Sequence, residues 1–90
     1  MASTEGGEAA PVWPAAQVWY VEARGEGARG RLTLFLDTLS AQPGFLGAEL
    51  LLSPAQPDLA LVASRWAAGP PALALPQGAR AWTFSVFTAR

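Results

Sequence analysis

The stretch QPGFLGAELLLSP at residues 42–54 decides the fold. Pro43 cannot continue a helix because it lacks a backbone N–H, and Gly44 readily adopts the conformation in which a chain leaves a helix. The residues that follow are almost all apolar, so they predict a strand over residues 45–53. One carboxylate, Glu49, lies in the middle of this strand, and its role is the main functional question that the sequence raises.

The residues before this stretch predict a strand followed by a helix. Residues 31–41 carry apolar side chains at positions i, i+3, i+4 and i+7, which is the pattern of an amphipathic helix. These side chains are Leu32, Phe35, Leu36 and Leu39. Residues 17–23 (QVWYVEA) are rich in β-branched and aromatic side chains and predict the first strand.

The residues after the stretch predict two further strands. Residues 53–58 hold two prolines and form a loop, and residues 59–66 and 79–88 read as strands. Three prolines interrupt residues 67–78, so at most one helical turn fits, at residues 72–75. The predicted fold class is therefore α+β, a ferredoxin-like β-α-β-β-(short α)-β antiparallel sheet whose second helix is degenerate.

Length and composition indicate how the chain is organised and stabilised. Residues 1–16 are small and acidic and predict a tail, with Trp13 as its candidate anchor, while residues 17–90 predict a single ferredoxin-like domain. A chain of ninety residues is near the lower size limit at which a hydrophobic core is stable without disulfides, metals or oligomerisation. The chain has no Cys and no His, which removes disulfides and thiolate metal sites, so we expect oligomerisation and neither a metal nor a cofactor.

The charge pattern argues against two classes of partner. The net charge is −1, and the six basic residues, all Arg, are scattered. Neither nucleic acid nor an anionic membrane is therefore an expected partner. There is no apolar run of membrane-spanning length and no visible signal peptide, so the expected location is cytoplasmic.

Both faces of the predicted sheet are apolar. In the first strand Trp19 and Val21 oppose Val18 and Tyr20, and similar apolar pairs recur in the other strands. One helix can cover only one face of a sheet. The other face needs a second layer, and the simplest source is an identical chain, so the sequence predicts a homodimer through the sheet face.

Several of these residues fall in a pattern that resembles a known family. Pro43, Gly44, Phe45 and Gly47, followed by a strand ending at Trp66, resemble the centre of the antibiotic biosynthesis monooxygenase-like domain of the dimeric α+β barrel superfamily. The resemblance implies two sheets packed face to face and a pocket between sheet and helices. It also implies cofactor-free oxygenation of aromatic polyketides or haem degradation. The haem-degrading members use an Asn and a His that this chain lacks, and the shortened second helix leaves a poor lid.

The register of the central hairpin decides where Glu49 lies. If Leu52 pairs with Leu59, leucines collect on one face while Glu49, Ser64 and Trp66 share the other. A slip of one residue would instead place Glu49 with Leu61 and Ala63. The first register separates polar from apolar side chains better, and the sequence favours it.

Two functional hypotheses follow, and the sequence favours the first. In one, the protein is a non-enzymatic dimer that binds a small apolar or aromatic ligand or only assembles. In the other, it is a cofactor-independent monooxygenase-like enzyme acting on a small aromatic or polyketide substrate. There Glu49 is the catalytic base, Trp66 and Ser64 line the substrate pocket, and Tyr20 or Arg80 steadies the anion. Each residue also has a structural interpretation: Trp66 and Tyr20 as packing aromatics, Glu49 and Arg80 as charges paired or exposed at the surface.

Overall fold

A computed structural model describes residues 16–90. They form one four-stranded antiparallel sheet, in the order β2–β3–β1–β4, and one helix. The elements are β1 (Gln17–Arg24), α1 (Ala28–Leu39), β2 (Phe45–Leu52), β3 (Leu59–Trp66) and β4 (Arg80–Ser85). The α+β class and the antiparallel sheet agree with the prediction, and the arrangement is compatible with a ferredoxin-like fold. The predicted anchor, Trp13, lies outside the described residues.

The predicted helical turn at residues 72–75 is wrong. This segment has no regular secondary structure. The N–H of Leu73 bonds to the carbonyl of Pro71, only two residues back, instead of continuing an i to i−4 ladder. Pro76 has no N–H to donate, so a helix cannot extend through it. The connection to β4 is therefore an irregular segment beside α1.

Helix α1 begins three residues earlier than predicted, at Ala28. Gly27 precedes it with a φ of 80°, a left-handed conformation that favours Gly, and its carbonyl accepts a 2.9 Å bond from the N–H of Arg31. Ala28 can then enter the core, where it is buried. The predicted apolar stripe is confirmed, since Leu32, Phe35 and Leu39 are buried against the sheet.

The core lies between α1 and one face of the sheet. The indole of Trp19 packs edge-on against Phe35, with ring centroids 5.7 Å apart, and against Trp66 at 6.4 Å. Val21 and Val62 are completely buried beside them. The described residues thus have one core, on one side of the sheet, and the other side has no layer of its own.

The register of the β2–β3 hairpin is the slipped one, so the favoured prediction is wrong by one residue. Leu52 pairs with Ala60, and Leu50 pairs with Val62. This register turns the even-numbered residues of β3, from Ala60 to Trp66, toward α1. An irregularity between Phe45 and Gly47 returns Phe45 to the same side, where its ring lies 5.5 Å from that of Trp66.

Candidate functional site

Ser64 and Trp66 belong to the core. Both residues are fully buried. The Trp66 Nε1–H donates a 2.8 Å hydrogen bond to Ser64 Oγ, and the Ser64 hydroxyl donates a 3.3 Å bond to the backbone carbonyl of Trp19. The serine therefore satisfies two buried polar groups, and the structural interpretation of Trp66 as a packing residue agrees with its burial.

Glu49 lies on the opposite side of the sheet from Ser64 and Trp66. It pairs with Ala63 across the hairpin and forms a two-pronged ion pair with Arg65, in which both nitrogen–oxygen distances are 3.1 Å. The hydrogen bonds from Arg65 lower the pKa of the Glu49 carboxyl, an effect that partial desolvation opposes and the guanidinium charge reinforces. A carboxylate held ionised and paired in this way is a weak general base near neutral pH.

The space beside Gly47 is filled by the side chain of Arg65. Gly47 lies directly across the ladder from Arg65, and a Cβ built on Gly47 would come within 2.8 Å of Arg65 Nη2. The missing side chain lets the guanidinium lie across β2 and reach Glu49. Gly47 therefore positions the ion pair and does not open a pocket.

Tyr20 and Arg80 lie on the same side of the sheet as Glu49. The Tyr20 ring packs edge-on against Phe84, with centroids 5.7 Å apart. The Arg80 guanidinium lies 5.8 Å from the ring centre of Trp82 and 3.9 Å from the Glu22 carboxylate. Glu22 is also 3.4 Å from the guanidinium of Arg24, so this end of the sheet carries a second group of paired charges.

We call the sheet face away from α1 the open face. Along the ladders it carries apolar residues on all four strands, one pair of charges on β2 and β3, and a second group of charges on β1 and β4. Its members include Val18, Tyr20, Glu22, Arg24, Gly47, Glu49, Leu51, Leu61, Ala63, Arg65, Arg80, Trp82 and Phe84. Three of the large apolar side chains remain well exposed: Leu51 at 43%, Trp82 at 39% and Phe84 at 55%.

The structure therefore separates the five candidate site residues into two groups. Ser64 and Trp66 are in the core, while Glu49, Tyr20 and Arg80 lie on the open face. The single pocket that the enzyme hypothesis required of Glu49, Ser64 and Trp66 is not formed. A chemical role for any one of these residues stays a prediction.

The partner of Glu49, Arg65, was not predicted from the sequence. The signal was present, because the slipped register places the two side chains diagonally across adjacent strands on one face. The favoured register was chosen because it separates polar from apolar side chains, and that criterion takes no account of the pairing between Glu49 and Arg65. The proximity of Arg80 to Glu22 depends on the register of β4 against β1, which the sequence does not reveal.

Two further observations concern residues 16–90. They contain no group of three or more Asp, Glu, His or Cys side chains arranged to hold a metal ion. Within the same range, α1 is too short and too polar to cross a membrane.

Comparisons with known proteins do not identify a family. No family model matches the chain, and no significant match was found among curated proteins or solved structures. The resemblance to the antibiotic biosynthesis monooxygenase-like domain is therefore a hypothesis that rests on the residues alone.

Proposed function

We propose that this protein is a non-enzymatic assembly module that forms a homodimer through its open face, as two sheets packed in a dimeric α+β barrel. The observation that carries the proposal is the exposure of Leu51, Trp82 and Phe84 on a sheet face without a covering layer. Large aromatic side chains exposed together on one surface are typical of protein interfaces. A two-fold dimer lets the same surface cover itself.

The charges on the open face support this proposal. Glu49 is paired with Arg65, and Glu22 with Arg24 and Arg80, within one chain. Burying a charge without its partner is strongly unfavourable, whereas a pair that keeps its hydrogen bonds is much less costly to cover. A second sheet can therefore approach without leaving an unpaired charge between the layers.

The centre of the open face carries a small side chain. Ala63 lies between Glu49 and Tyr20 on the neighbouring strands and is the smallest side chain in the middle of the face. The larger apolar groups stand around it, from Leu51 on one edge strand to Trp82 on the other. A copy of the chain would meet apolar side chains on both edge strands and charges that are already paired within one chain.

Sedimentation velocity on the full chain tests the proposal. The wild-type protein is expected to sediment as a dimer at micromolar concentration. The double substitution Trp82→Glu and Phe84→Glu places two charges on the open face, so we expect a monomer with an unchanged far-ultraviolet circular dichroism spectrum. Leu34→Glu, on the exposed side of α1, is the matched control and should leave the dimer intact.

Two results would overturn the proposal. One is a wild-type chain that stays monomeric throughout the micromolar range. The other is a dimer that persists with both acidic substitutions on the open face, since that dimer must use another surface.

A further inference from the structure

A groove runs along the outer side of α1, away from the open face. It is lined by Arg31, Leu34, Phe35 and Thr38 of α1 and by the irregular segment 74–77. It is a shallow, open groove with a volume of about 350 Å³. We call it the α1 groove. Leu34 and Leu75 keep 71% and 39% of their surfaces exposed there, so the groove offers apolar contact that the chain does not use itself.

Arg31 brings an uncompensated positive charge to the α1 groove. Its Nη1 donates a 3.2 Å hydrogen bond to the backbone carbonyl of Glu26, and no carboxylate among residues 16–90 lies within ion-pair distance of it. Its Nε is buried and has no hydrogen-bond acceptor in that part of the chain. A buried donor without an acceptor is uncommon in folded proteins and calls for a specific explanation.

Gly27 fixes where this guanidinium lies. A Cβ on Gly27 would come within 3.0 Å of Arg31 Nη1. The absence of a side chain at Gly27 therefore lets the guanidinium pack against the start of α1, at one end of the groove. The apolar side chains occupy the remainder of the groove, so charge and apolar surface follow one another along its length.

From these observations we infer that the α1 groove binds a small amphipathic carboxylate. The carboxylate pairs with the guanidinium of Arg31, and the apolar body lies between Leu34 and Phe35 on one side and Leu75 and Pro76 on the other. Because the surrounding protein covers Nε, the carboxylate contacts the terminal N–H groups of the guanidinium that the Glu26 carbonyl leaves free. Charge-assisted hydrogen bonds of this kind are stronger than neutral ones.

The dimensions of the groove limit the ligand. Arg31 and Thr38 are seven residues apart on α1, which corresponds to about 10 Å along the helix axis. A short aliphatic chain or a small ring system fits this length. The site is independent of the proposed dimer, because it lies on the helical side of the sheet.

Octanoate and octan-1-ol are matched probes, since they share an apolar chain and differ in charge. Titration of the full chain, followed by amide chemical shifts, is expected to give saturable octanoate binding with shifts concentrated in α1 and residues 74–77. Arg31→Met keeps the apolar stem and removes the charge. This substitution should weaken the binding of octanoate about tenfold, which corresponds to about 1.4 kcal/mol, and leave the binding of octan-1-ol unchanged.

Two exposed leucines provide a second test that leaves Arg31 in place. Leu34→Asp puts a negative charge into the α1 groove and should weaken octanoate severalfold. Leu46→Asp adds the same charge at another exposed position, outside the groove, and should have no effect. The inference is overturned if the full chain does not bind octanoate, if Arg31→Met binds it as tightly as the wild type, or if the shifts fall on the open face. If the chain is monomeric yet binds octanoate through Arg31, the proposed dimer is refuted and the inference about the α1 groove stands.

Discussion

Trp66 and Ser64 lie two residues apart on β3, and the indole Nε1–H of Trp66 donates a 2.8 Å hydrogen bond to the Ser64 hydroxyl inside the core. The same hydroxyl donates to the carbonyl of Trp19 on β1. The hydroxyl thus links two neighbouring strands and satisfies the indole, which explains a serine in an otherwise apolar position of the core.

Replacing Ser64 with Ala should destabilise the protein. The change leaves the buried N–H of Trp66 without an acceptor and removes a donor from the Trp19 carbonyl, so we expect a loss of about 1–3 kcal/mol in the free energy of unfolding. Urea denaturation at fixed protein concentration measures it. Ser85→Ala is the control, because Ser85 is exposed and its hydroxyl only accepts a bond from the Gln17 side chain. Equal losses from both substitutions would contradict this role of Ser64.

The leucines of α1 provide a second comparison, between burial and exposure on one helix. Leu32 is completely buried, whereas Leu34 is 71% exposed. Leu32→Ala should lower the free energy of unfolding by about 2–5 kcal/mol, because it removes buried methyl groups and leaves a cavity. Leu34→Ala should change it by less than about 0.5 kcal/mol. Denaturant unfolding of both variants tests which side of α1 faces the sheet. A larger loss of stability from Leu34→Ala than from Leu32→Ala would contradict the observed orientation.

The contrast between these leucines was predictable, because helical periodicity depends only on neighbouring residues. The order of the elements and the apolar face of α1 followed from such local patterns. The strand register could not be predicted in this way, because a change of register changes every contact between β2 and β3 at once. The observed register places Glu49 diagonally opposite Arg65 on one face, and their ion pair depends on both strands together.

The separation of the candidate site has the same physical origin. Because side chains alternate along a strand, the one-residue slip moved Ser64 and Trp66 to one face and left Glu49 on the other. The orphaned Nε of Arg31 and the α1 groove were also beyond prediction, because they depend on how the irregular segment 74–77 packs against α1. Proline content predicted that this segment would not be a regular helix, but not where it would lie.

Two glycines with different backbone conformations should respond oppositely to Ala. Gly44 has a φ of 82°, which an L residue adopts only with strain, so Gly44→Ala should cost about 1 kcal/mol. Gly30 lies within α1, and a Cβ there meets no atom within 4 Å. Gly30→Ala should therefore stabilise the protein by about 0.5–1 kcal/mol, since Ala has the higher helix propensity. Thermal unfolding of both variants measures the two effects, and a shared sign would contradict the assigned conformations.

The ion pair between Glu49 and Arg65 predicts a pH dependence of stability. Hydrogen bonds from Arg65 lower the pKa of Glu49 in the folded chain, whereas the unfolded value is about 4.3. The stabilisation is therefore fully present above the unfolded pKa and is lost as the pH falls through the folded pKa. Because the pair is nearly half exposed in the single chain, its contribution there is only about 0.2–1 kcal/mol.

Glu49→Gln isolates this contribution. The variant should be less stable than the wild type at pH 7, and the difference should shrink as the pH falls below about 4, where the wild-type carboxyl also becomes protonated. If the open face forms the dimer interface, the dimer dissociation constant should follow the same course, because protonation leaves Arg65 unpaired between two sheets. Urea unfolding and sedimentation across this pH range measure the two quantities. Glu26→Gln is the control, since Glu26 is exposed and forms no ion pair with the described residues. A stability difference that stays constant from pH 7 to pH 3 would show that the Glu49–Arg65 pair contributes nothing.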